Sequence, residues 1–108
     1  MRKYTLNDIE EILSSNDGVM LYFSGENCGV CQVLKPKIQE LFSASFSKLK
    51  QVYISAELQK EIAAHFSVFT IPTVIVFFEK KEFIRQSRNI SIGDLKTKIE
   101  RPYGLYFE

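Results

Sequence analysis

Read from the N-terminus, the apolar positions change period several times, and each change marks an element. Leu6, Ile9, Ile12 and Leu13 share one helical face behind Thr5 and Asp8, a capping pair, until Ser14-Ser15-Asn16-Asp17-Gly18 breaks the pattern. This predicts a helix from Leu6 to about Ser15. Val19-Met20-Leu21-Tyr22-Phe23 is a continuous apolar run, as in a strand covered on both faces, and Ser24-Gly25-Glu26-Asn27 closes it. Helical spacing returns with Leu34, Ile38, Leu41, Phe42 and Phe46, around an interior Pro36 that should bend the helix. Val52-Tyr53-Ile54 is a short strand, Leu58, Ile62, Ala63 and Phe66 mark a third helix, and Thr73 to Phe78 is the strongest strand signal. Phe83 to Ser87 follows across only Glu79 to Glu82, which requires an antiparallel hairpin. Ser91 and Asp94 open a last helix carrying Ile92, Leu95 and Ile99, and Pro102 is expected to end it.

The order is α β α β α β β α, with a further short strand expected at Arg2 to Tyr4. Strands separated by helices are expected to pair in parallel through crossovers, and the closing hairpin adds an antiparallel edge. The fold class is therefore α/β, a central mixed sheet of four to five strands flanked by helices on both faces. Sites in open α/β sheets form at the carboxyl ends of strands, which is where Cys28 and Cys31 fall.

Composition narrows the function classes. A chain of 108 residues makes one domain, residues 1–108, and at this size roughly two thirds of the unfolded surface is buried without staples. Fourteen Lys plus Arg against thirteen Asp plus Glu leave a net charge of +1, which indicates no nucleic acid or anionic lipid as partner. No apolar run approaches the roughly 20 residues of a membrane helix, and the N-terminus leads into an amphipathic segment rather than a signal-peptide core. A soluble, cytoplasmic protein is expected. Lys80-Lys81 reads as protection of a sheet edge, and His65 as a cation at a helix C-terminus.

Two cysteines three positions apart are too few for a disulfide scaffold and constrain little of the unfolded chain. A thiol at the first turn of a helix meets unpaired amides and the positive end of the dipole, which favour thiolate. Cys28 is expected there, with Cys31 one turn inward on the same face, close enough to bridge to it. Such a pair supports two-step exchange: the outer thiolate attacks a client disulfide and the inner thiol releases the reduced client. Gly29 leaves the approach to Cys28 open, and Val30 stiffens the dipeptide without adding charge. Two other readings stay open: buried small apolar residues, or half of a zinc or cluster site completed by carboxylates or a dimer, since only His65 could add a ligand of the usual kind.

Cys28-Gly29-Val30-Cys31 after a buried strand, Pro36 in the following helix, and Thr70-Ile71-Pro72-Thr73 before the long strand resemble the thioredoxin family over nearly the whole chain. The resemblance implies a thioredoxin fold and a thiol-disulfide oxidoreductase that reduces protein disulfides through Cys28 as nucleophile and Cys31 as resolving thiol. It implies that Pro72 matches the family's cis-proline and that the Ile71 backbone pairs with an extended client, so that Asn27, Gly29, Val30, Thr70, Ile71 and Pro72 form the client-binding rim. It implies no cofactor beyond the Cys28–Cys31 disulfide, client proteins with disulfides as partners, and a flavoprotein thioredoxin reductase as electron donor.

The chain also departs from that family. Asn27 stands where Trp is usual, Val30 where Pro is usual, Tyr22 where many members bury an Asp, and the segment from Gln51 to Glu57 lacks the Lys that pairs with that Asp. Tyr22 is expected as a core aromatic rather than a proton relay, with Glu26 the nearest alternative carboxylate. The Gly common after the last strand is replaced by Arg88-Asn89-Ile90. A reduction potential between about −270 and −180 mV is expected. The alternative function is a redox-linked protein-binding module of the same fold with little general reductase activity. The apolar tail from Pro102 to Glu108 is expected to pack back on the sheet or last helix of a monomer, a dimer contact being the alternative.

Overall fold

In a computed structural model, which describes residues 3–107, the eight elements are α1 (Leu6–Ser15), β1 (Gly18–Ser24), α2 (Gly29–Ser45), β2 (Lys50–Ser55), α3 (Lys60–His65), β3 (Thr73–Phe78), β4 (Lys81–Ser87) and α4 (Ile92–Phe107). The strand expected at Arg2 to Tyr4 begins outside the described residues, Lys3 and Tyr4 belong to no strand, and the described residues form a sheet of four strands in the order β2-β1-β3-β4. β1 and β3 are central and buried along their whole length, as continuous apolar runs require.

Side chains alternate across these strands and divide the core into two layers. Met20, Tyr22, Val74, Val76 and Phe78 pack under α2 and α4 with Ile38, Phe42, Leu95 and Ile99. Val19, Leu21, Phe23, Ile75 and Phe77 face α1 and α3 with Ile9, Leu13 and Ile62. α1 starts as expected: Thr5 Oγ1 accepts the Asp8 N–H at 3.1 Å and Asp8 Oδ2 accepts the Thr5 N–H at 2.9 Å.

Three expectations are corrected. β2 runs parallel to β1, but β3 is antiparallel to it, with Phe23 opposite Thr73. α3 spans only about 9 Å, half the length of a strand of six, and the chain leaving it enters β3 from the sheet end at which β1 and β2 finish. α3 is correspondingly shorter than its apolar spacing suggests, and Leu58 lies outside it, 54% exposed. The β3–β4 connection is the two residues Glu79 and Lys80 at φ 51° and 69°, a twist-matched turn made without glycine, and β4 is an exposed edge strand.

The third correction concerns the C-terminus. α4 continues through Pro102 to Phe107 instead of ending there. Pro102 forfeits one backbone bond, but tertiary contacts hold the extension: Tyr103 is buried with its ring 5.0 Å from that of Phe46, its hydroxyl accepts the Lys48 N–H at 3.2 Å, and Tyr106 stacks on Phe78 at 5.1 Å. The tail therefore packs onto the core as the rest of a helix. No helix among the described residues is long and apolar enough to cross a membrane.

Candidate active site

The carboxyl ends of β1 and β2 and the start of β3 meet at one edge of the sheet, and the two cysteines leave from it. Gly25 follows β1 with the Glu57 carboxylate and Ile71 Cδ1 lying close over its Cα. Gln32 Nε2 donates to the Glu26 carbonyl at 3.1 Å and ties the exposed Glu26-Asn27 turn to α2.

Cys28 is the N-cap of α2 itself, one position earlier than a first-turn residue, with extended φ −103° and ψ 100°. Its Sγ accepts the Cys31 N–H at 3.2 Å, the bond a capping Ser or Asp oxygen would accept, and its carbonyl accepts the Gln32 N–H at 3.1 Å. Sulfur at this point faces amides that helix geometry leaves unpaired, the environment that stabilises a thiolate. Cys28 and Cys31 are joined by a disulfide with Cα atoms 5.2 Å apart. The two are not equivalent: Cys28 is partly exposed, whereas Cys31 is 2% exposed. An incoming disulfide can reach only the outer sulfur.

Beneath them Tyr22 is fully buried in the core, and its hydroxyl donates to the Cys31 carbonyl at 3.0 Å. Burial pushes its phenol up to about 12, so the hydroxyl stays a donor at neutral pH. Tyr53 packs its ring edge-on at 5.8 Å and is likewise pushed up to about 12, by burial first and by Tyr22 second. The site is therefore braced by a phenol and not by a carboxylate; Glu26 is exposed and contributes only its carbonyl.

The residues expected to face a client come to the same edge. The Ile71–Pro72 peptide bond is cis, Thr70 and Ile71 are half-buried, and Pro72 is buried. Thr73 Oγ1 donates to the Thr70 carbonyl at 2.7 Å and lies 2.9 Å from Ser87 Oγ. Asn27, Gly29 and Val30 are exposed on the turn and the first helical residues, Val30 at 62%. His65 lies elsewhere, in the last turn of α3 with Nε2 3.7 Å from Glu10 Oε1. Among the described residues no group of three or more His, Cys, Asp or Glu is placed to hold a metal.

Three residues of this edge went unnoticed in the apolar pattern. Glu57 lies over Gly25, Arg88 donates its N–H to the Pro72 carbonyl at 2.9 Å from a φ of 63°, and Phe69 stands 83% exposed just before Thr70. Phe69 has a signal in sequence as a large apolar side chain beyond the last helical position of α3, and Arg88 as the residue in the region where a Gly is common.

Comparison with known proteins agrees with this geometry. Residues 3–101 match the family model described as Thioredoxin. The thioredoxin-like protein YdfQ of Bacillus subtilis is 31% identical over 103 residues, covering 95% of this chain and 91% of its own. Thioredoxin 1 of Thermosipho africanus superposes with a TM-score of 0.75 at 30% identity, over 83% of this chain and 99% of that one. Fasciola hepatica thioredoxin gives 0.81 at 25% identity, over 90% and 93%.

Proposed function

The chain belongs to the thioredoxin family and carries a C-x-x-C pair, which makes its chemistry thiol-disulfide exchange, and from that premise we propose that it reduces protein disulfides through Cys28 and Cys31. What carries the proposal is the asymmetry of the pair: a partly exposed cysteine at a helix N-cap bonded to a buried one three residues on.

In the dithiol form, the Cys28 thiolate attacks one sulfur of a client disulfide. That bond breaks, its other sulfur leaves as thiolate and takes a proton, and Cys28 is left in a mixed disulfide. Cys31 loses its proton and attacks Cys28 Sγ, which releases the second client thiolate and closes the Cys28–Cys31 bond. Two electrons pass from the dithiol to the client. A flavoprotein thioredoxin reductase returns them, in a reducing compartment such as the cytoplasm.

Thr70 and Ile71 offer backbone to an extended client strand, with Pro72 buried behind them and Asn27, Gly29 and Val30 across the cysteines. The test is reduction of insulin by dithiothreitol with the native chain or Cys28→Ser as catalyst. The native chain is expected to accelerate precipitation and Cys28→Ser to give the uncatalysed rate. Equal rates would overturn reduction in favour of a binding module of the same fold.

A further inference from the structure

Phe69 is the most exposed large apolar side chain among the described residues, and its neighbours are held in place. On one side Arg85 donates from Nη1 to the Ser67 carbonyl at 3.1 Å and from Nη2 to the Phe66 carbonyl at 2.6 Å, and Val68 is buried. On the other, Thr73 holds the Thr70 carbonyl at 2.7 Å. A phenyl ring carried into water on a segment whose backbone is pinned at both ends is not a fraying residue, and it belongs to neither core layer.

The ring borders an open cleft of about 390 Å³ lined by Ala56, Ala63, Val68, Phe69 and Ile71. At its rim Glu57 and Lys60 carry opposite charges, so the cleft has no net sign with which to attract an ionised side chain. Because Ile71 belongs both to this lining and to the client platform, the cleft continues the surface along which a client strand would run. Alternate client side chains recur about every 7 Å on one face of such a strand, within reach of a cleft that starts at Ile71. At the usual aromatic position before the first cysteine this chain has the small polar Asn27.

We propose that Phe69 determines client choice: with the cleft beside Ile71 it selects disulfides flanked by an uncharged apolar side chain. The inference rests on the reductase reading of the same site and names its substrate class. The pinned loop fixes the backbone that carries the ring, so covering the ring brings the gain of apolar burial without the cost of ordering the loop.

The experiment compares two synthetic disulfide peptides, identical except that Phe or Ser flanks each cysteine. The ratio of their kcat/KM values is divided by the ratio of their rates with dithiothreitol alone. The wild-type chain is expected to favour the Phe peptide about tenfold, Phe69→Ala to bring the ratio close to one, and Phe69→Leu to keep most of it. Phe69 is 83% exposed and belongs to neither core layer, so thermal unfolding should coincide for all three. Reduction of both peptides by the wild type with a ratio of one overturns this inference alone, whereas reduction of neither overturns the reductase reading as well. A ratio unchanged in Phe69→Ala, with loss of self-association instead, assigns the ring to a contact between copies of the chain and overturns client selection.

Discussion

The Tyr22 hydroxyl donates to the Cys31 carbonyl at 3.0 Å, which bonds the central strand to the first turn of the cysteine helix. The same peptide unit sends its other polar group outward, the Gln32 N–H to the Cys28 carbonyl at 3.1 Å. Strand, inner cysteine and outer cysteine thus form one hydrogen-bonded series in which each bond polarises the next. Tyr22→Phe keeps the ring in the core and removes the donor. It should cost about 1 kcal/mol, read as a lower denaturant midpoint at unchanged m value. A change above about 3 kcal/mol would mean that ring packing was disturbed as well.

The same burial makes stability depend on alkaline pH. Tyr22 and Tyr53 titrate at about 12 in the folded chain, against 10.0 for the ordinary phenol. Their contribution is complete below pH 10, where both states hold the proton, and falls as pH rises from 10 towards 12, where only the unfolded state releases it. Stability measured from pH 8 to 11.5 should be flat and then decline above 10. Phenolate absorbance should show these two of the five tyrosines ionising late or together with unfolding.

Arg88 holds the left-handed backbone conformation at φ 63° while its N–H bonds the Pro72 carbonyl. Arg88→Gly keeps that bond and removes the clash of Cβ with the backbone, worth about 1–2 kcal/mol, against about 0.5–1 kcal/mol of added chain entropy in the unfolded state. The net expectation is a gain of about 0.5–1 kcal/mol in chemical denaturation. A loss would show that the guanidinium itself supports the fold.

The helical tail separates buried from exposed side chains a residue or two apart. Tyr103 is buried and bonded to Lys48, whereas Leu105 is 79% exposed. Tyr103→Ala is expected to cost about 3–4 kcal/mol and Leu105→Ala less than about 0.5 kcal/mol, both from urea titrations.

Much of this was legible in the chain itself, because period and caps are local properties. The first helix ends where Thr5 and Ser15 indicate, and Val19 to Phe23 and Thr73 to Phe78 lie within the two central strands. The direction of β3 was not legible, since a run buried on both faces has the same composition whichever way it pairs; direction depends on where a six-residue α3 leaves the chain. Helix beyond Pro102 was hidden for a related reason. A local penalty is visible in sequence, and the contacts of Tyr103 and Tyr106 that outweigh it are not. At the site, the cysteine spacing announced its chemistry, but Tyr22 sat inside an apolar run that concealed a hydroxyl aimed at Cys31. Phe69 and Arg88 gain their places only once the loop before β3 and the end of β4 are brought to one edge.

The most direct test of a nucleophilic Cys28 resolved by Cys31 is trapping of the mixed disulfide. Reduced Cys31→Ser and Cys28→Ser chains are each mixed with insulin, and the adducts are identified by intact and peptide mass spectrometry. The partly exposed outer cysteine and the buried inner one predict a persistent insulin adduct at Cys28 in Cys31→Ser, released by dithiothreitol, and none at Cys31 in Cys28→Ser. An adduct formed at Cys31 in Cys28→Ser, with none in Cys31→Ser, would contradict the assignment of both thiols.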